Sequence, residues 1–228
     1  MNPPTVQTLV LASRSPRRQA LLRAAGLDFC LRPAHIDESR HLSAPPRSAA
    51  MRTALEKAIT VADQPETPDR LILAADTMVL FRDSVFNKPA HREEAARMLR
   101  TLSGNTHSVI TALALLIPNG PALVDAVTTA VTFNHLPRTL IDDYIASGEA
   151  DDKAGAYGIQ GLGACFVASV QGDLSTVIGL PLARLRQLSL LLVGWDPFQG
   201  GHHPRDVLLR AFPDLRQLPP ACLDGIPD

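Results

Sequence analysis

The run Leu71 to Leu80, LILAADTMVL, constrains this chain more than any other stretch, because continuous apolar sequence of this kind marks a strand buried on both faces. An aspartate in such a strand is costly unless it has a partner. The reading places Asp76 at the C-terminal end of a central strand, where α/β proteins put ligands, able to hold a metal ion or to accept a proton from water. The plainer alternative is a strand-end aspartate that caps a turn. Thr77 beside it can bond locally or to a ligand.

A second stretch, Leu9 to Gly26, reads as strand, turn and helix. Leu9, Val10 and Leu11 suit a buried strand, Ser15 and Pro16 make an N-cap and first-turn pair, and Gly26 stops the helix. Such a turn aims free backbone N–H groups and a positive helix end at one point, with Ser13, Ser15, Arg17 and Arg18 beside it. That is a phosphate site, or else a plain N-capped helix with solvent-facing arginines.

Other segments offer polar groups to the same cleft. Asp37 and Glu38 follow a short strand at Phe29 to Pro33, and only one of two neighbours in extended chain can face a given side. Lys57 lies just off the apolar stripe of a helix over Arg47 to Val61, placed to reach a cleft or to snorkel. Lys88 comes after a turn near the same end of the sheet. His91 to Leu102 is a helix, Val109 to Ile117 and Ala122 to Phe133 are two long strands, and Thr139 to Ser147 is a short helix. His107 faces either a site or, as is commoner, the surface. In Asp151 to Gly163 four glycines imply close backbone approach, with Asp152, Lys153 and Gln160 as the polar groups, the last suited to a base edge. A short strand over Ala164 to Val170 and an apolar helix over Leu182 to Val193 close the pattern, and from Trp195 the Pro- and Gly-containing chain reads as a tail, partly ordered at best.

Composition excludes some classes. Lys and Arg number 22 against 23 for Asp and Glu, so bulk charge gives no reason to expect a nucleic-acid partner. No apolar run approaches the roughly 20 residues that span a bilayer, and the N-terminus lacks a basic leader, so a soluble cytoplasmic protein is expected. Cys30, Cys165 and Cys222 have no partner at metal or redox spacing, and the first two read as buried thiols. His202 and His203 without further ligands do not make a metal site.

Taken in order, ASRSPRRQALL, IDE, AADT, KP, LSGNTH, SGEADDKAGAYGIQGLG and VIGLPL resemble the Maf family of nucleoside triphosphate pyrophosphatases over Leu9 to Val193. The resemblance implies an α/β fold with an elongated mixed sheet and two lobes around a cleft, like inosine triphosphate pyrophosphatases, often as a homodimer. It implies cleavage of a nucleoside triphosphate to monophosphate and pyrophosphate with Mg²⁺ or Mn²⁺. Carried over by motif, Ser13, Arg17 and Arg18 belong to the phosphate turn, Glu38, Lys57, Asp76 and Lys88 line the cleft, Asp76 is the proton acceptor, and Glu38 and Asp76 hold the metal. Arg17, Thr77 and Gln160 match the branch that hydrolyses dTTP and UTP, whereas the branch preferring 7-methyl-GTP usually has Trp and Glu at the first and third of these. Ala75 departs from the usual Gly, and the residues of 195–228 have no counterpart, which divides the chain into a family domain at 1–194 and a tail. The family is also associated with arrest of septum formation, so a nucleotide-binding regulator acting through a protein partner is the alternative reading.

Overall fold

The computed structural model describes residues 9–41, 43–65, 70–198 and 203–224. The middle of the loop read over 63–70 and His202 of the histidine pair lie outside them. One mixed sheet organises the chain. β1 (Leu9–Leu11) lies parallel between β2 (Phe29–Leu31) and β3 (Leu71–Phe81), and β3 continues antiparallel into β5 (Thr106–Leu116), β6 (Ala122–Phe133) and β7 (Val167–Gln171). This is the mixed α/β class that the sequence implies.

Period-two alternation divides each strand between two cores. Leu9, Leu11, Leu71, Leu73, Ala75 and Val79 face one core, with α1 (Pro16–Ala24), α3 (Arg92–Leu102), α4 (Arg138–Ala146) and α6 (Leu182–Val193). Val10, Ile72, Ala74 and Met78 face the other, which is covered by α2 (Pro46–Ala62). Ala49, Ala50, Ala54 and Ala58 line the inner side of α2, and so small a stripe lets the helix approach the sheet closely. By the same alternation Asp76 turns toward α2 and Thr77 toward α1.

Asp76 is not at a strand end, as the sequence suggested, but sixth of the eleven residues of β3. The opening is sideways instead. β1 pairs only with Leu71–Leu73, and Ala12 N–H closes that ladder on the Leu73 carbonyl (2.8 Å). β4 (Ser84–Phe86) takes up the same edge only from Val79 to Phe81. Residues 74–78 therefore have a strand neighbour on the β5 side alone, and Asp76 lies at the centre of this gap.

Three further expectations change. The strand read from Ala164 begins at Val167, because Gly161–Phe166 is 3₁₀ helix. Cys165 is exposed at the end of that helix and Cys30 half-buried, while Cys222 is the buried thiol. The segment after Trp195 carries α7 (Pro204–Ala211) and α8 (Ala221–Asp224), and Phe198, Val207, Leu208, Leu215, Leu218 and Leu223 join the α1 core. Arg210 donates to the Ala24 carbonyl at the end of α1 (2.9 Å). Fully burying each such side chain stabilises by about 1.5–3 kcal/mol at most. A chain ended after Gly194 is therefore expected to melt roughly 10 °C or more below the full chain in a thermal scan; an unchanged midpoint would show that the segment adds nothing.

His107 reaches neither the cleft nor the surface. It is 2% exposed, edge-on to Phe133 and Tyr157, with Nε2 2.8 Å from the Tyr157 hydroxyl. Burial holds its pKa down from 6.5 to about 4. Between those values the unfolded chain takes up a proton that the folded chain refuses, so stability falls as pH drops through this window. In denaturant titrations His107→Asn is expected to lose stability less steeply than wild type near pH 5, by about 1.4 kcal/mol per pH unit.

Candidate active site

The gap in the sheet is the floor of a cavity of about 250 Å³. The nine residues carried over by the family motifs all line it: Ser13, Arg17, Arg18, Glu38, Lys57, Asp76, Thr77, Lys88 and Gln160, whereas Asp37 and His107 do not. The nine come from six segments, so no short motif could show that they meet.

The acidic side is built across β3 and α2. Lys57 Nζ, carried on the face of α2 that packs on the sheet, lies 2.7 Å from Asp76 Oδ1 and 2.8 Å from Glu38 Oε1. Lys57 and Asp76 side chains are each 9% exposed, so the snorkelling alternative for Lys57 is excluded. A buried pair of this kind is costly to break, because either partner alone becomes an uncompensated charge. Glu38 sits in the single 3₁₀ turn after the β2 loop and is half exposed. Burial pushes its carboxyl up, but Lys57, Lys88 and Arg18 outweigh this, and the pKa falls below the ordinary carboxylate value.

The cationic side is the turn between β1 and α1. Ser15 Oγ caps α1 by accepting from Arg18 N–H (3.4 Å), and Pro16 occupies the first turn. Arg18 is folded inward rather than held out to solvent. Its Nε donates to the Gly179 carbonyl (2.7 Å), Nη1 to Ser13 Oγ (3.0 Å) and Nη2 to Thr77 Oγ1 (3.1 Å). Burial, with Arg17 nearby, lowers its pKa from 12.5 to about 10 against the opposing pull of Asp76 and Glu38. Three of its five N–H groups are committed to protein acceptors, leaving two for the cavity. Thr77 Oγ1 is 2.9 Å from Thr111 Oγ1, which donates to the Thr176 carbonyl (2.7 Å). This relay ties Arg18 to α5 (Leu174–Ile178), a helix whose five residues are too few to show a period in the sequence. Its visible signal was Asp173, whose carboxylate caps it at Ser175 N–H (2.8 Å).

Arg17 stays nearer the opening, 3.9 Å from the exposed Asp152. Asp152, Lys153 and Tyr157 also line the cavity; Tyr157 had no signal beyond its place in the glycine-rich run. Gln160 Nε2 is buried with no hydrogen-bond partner among the described residues. A buried donor left so costs free energy until something accepts from it.

A divalent cation fits this arrangement. No group of three or more His, Cys, Asp or Glu able to hold a metal occurs among the described residues, so there is no all-protein cage. Glu38 and Asp76 nevertheless already share one cation, the Lys57 ammonium. Two carboxylates that leave further positions to substrate phosphates and water are what Mg²⁺ uses.

The family described as Maf-like protein matches residues 8–190. The dTTP/UTP pyrophosphatase of Geobacillus sp. (strain WCH70) is 47% identical over 191 residues, covering 83% of this chain and 100% of its own. That of Moorella thermoacetica is 48% identical over 189 residues, covering 82% and 96%. Among solved structures, the Staphylococcus aureus Ham1 protein aligns with 14% identity and a TM-score of 0.43, over 90% of this chain and 97% of that one. Among the described residues no helix is long and apolar enough to cross a membrane.

Proposed function

The chain belongs to the Maf-like protein family, and from that premise we propose that it hydrolyses dTTP and UTP to the nucleoside monophosphate and pyrophosphate. The observation that carries this reading is a single cavity lined by a carboxylate pair together with arginines, lysines and the N-terminal turn of α1.

Each group has a task in breaking the α,β-phosphoanhydride. Arg17, through its side chain and its backbone N–H at the start of α1, and Lys88 neutralise the triphosphate, while Arg18, held rigid by three bonds, offers its two remaining donors. Asp76 accepts the proton of the attacking water as its oxygen bonds to the α-phosphorus, and pyrophosphate leaves with the electrons of the broken bond. Lys57 fixes the Asp76 carboxylate through Oδ1, leaving Oδ2 for the proton. Glu38 and Asp76 would hold a divalent metal, which when bound shares the charge on the phosphate oxygens. At the other end Gln160 presents an amide to the base. An amide can pair with the N3–H and a flanking carbonyl of uracil or thymine.

The test is a panel of dTTP, UTP, CTP and 7-methyl-GTP with Mg²⁺ or Mn²⁺, assayed for pyrophosphate. Release from dTTP and UTP is expected, abolished by chelator. Binding of nucleotides without turnover of any would contradict the enzyme and favour the regulator.

A further inference from the structure

Gln160 stands on a loop whose shape is set from outside the cavity. Glu149, just past α4, accepts from Leu162 N–H on Oε2 (3.0 Å) and from Gly163 N–H on Oε1 (3.3 Å). Tyr144 of α4 donates its hydroxyl to Glu149 Oε1 (3.1 Å) and accepts from Gly158 N–H (3.0 Å). Both ends of the segment carrying Gln160 are thus tied to one carboxylate and one phenol, neither of which lines the cavity. The glycines permit this closure. Gly161 has φ +80°, and a Cβ there would stand 2.8 Å from Glu149 Oε2, while a Cβ on Gly163 would collide with the Gly158 carbonyl. The buried, unpartnered Nε2 of Gln160 supplies the second observation, that this loop is built to present a donor rather than to satisfy it.

We propose that Glu149, together with Tyr144, is a positioning residue for base selection: its carboxylate locks the loop that presents the Gln160 amide to a pyrimidine dione. The proposal rests on the nucleotide reading above. Glu149 acts through the loop and not by touching substrate, since it does not line the cavity. Selectivity follows because an amide whose backbone is free can turn or withdraw, and its paired hydrogen bonds to N3–H and the carbonyl are then lost.

Glu149→Gln keeps the shape and replaces one acceptor oxygen by a donor facing backbone N–H groups. With wild type, Gln160→Ala and the combined variant it forms a double-mutant cycle, measured as kcat and KM for dTTP, UTP and CTP. Glu149→Gln is expected to raise KM for dTTP and UTP about tenfold, with kcat within about twofold and CTP little changed. The combined variant should be no weaker than Gln160→Ala alone. Additive losses, or an equal fall of kcat for all three nucleotides, would overturn the proposal. If Glu149→Gln melts too early to assay, Tyr144→Phe runs the same cycle. Pyrophosphate release by wild type judges the enzyme reading separately; without it, the cycle is read from calorimetric Kd values for α,β-imido-dTTP and α,β-imido-dCTP, with the same two outcomes.

Discussion

Asp76→Asn is expected to reduce kcat for dTTP by about 10³-fold while leaving the fold intact. The change removes the proton acceptor of the proposed reaction and leaves an amide of nearly the same volume in the gap of the sheet. Oδ1 of the amide still accepts from Lys57, so packing against α2 persists. The check is steady-state pyrophosphate release beside a thermal scan. Wild-type turnover in a folded variant would remove Asp76 from the chemistry.

Lys57→Met should disturb stability as well as activity. The ammonium lies 2.7 Å from Asp76 Oδ1 on the buried face of α2, and Met fills its volume without its charge. Leaving a buried charge unpaired costs about 3–5 kcal/mol, which for a chain of this size corresponds to a midpoint lowered by roughly 10 °C. Turnover falls too, since Lys57 no longer fixes the Asp76 carboxylate through Oδ1. Adding Asp76→Asn to Lys57→Met should restore at least half of the lost stability, because the neutral amide needs no counter-charge. Urea titrations of the three variants decide this. A double variant less stable than Lys57→Met alone would show that the pair is not held together by charge.

Much of the scaffold can be read from the chain because its local signals agree. Ser15 and Pro16 start α1 as expected, the apolar stripe Ala50, Ala54 and Ala58 buries α2, and Leu71–Phe81 is buried on both faces. What the sequence cannot show is where neighbouring strands stop. Asp76 looks like a strand-end residue, and only the pairing of β1 to residues 71–73 and of β4 to residues 79–81 shows that the opening is lateral. Arg18 looks like a free phosphate ligand, and its commitment depends on the Gly179 carbonyl, 161 positions away. His107 reads as preceding a strand in polar company, yet it is the second residue of β5, and Tyr157 and Phe133 enclose it from distant segments. The prolines after Trp195 suggested a loose tail because they interrupt periodicity. Pro204 instead opens α7, where a proline lacking N–H is tolerated, and Val207 and Leu208 carry that helix into the core.

The central claim is that water, activated at Asp76, attacks the α-phosphorus of a triphosphate lying within one cavity. Hydrolysis of dTTP in ¹⁸O-enriched water, followed by mass spectrometry of the products, tests it most directly. The label is expected in dTMP, with unlabelled pyrophosphate in equal amount. Labelled orthophosphate released from the γ-position, with dTDP as the other product, would contradict the account.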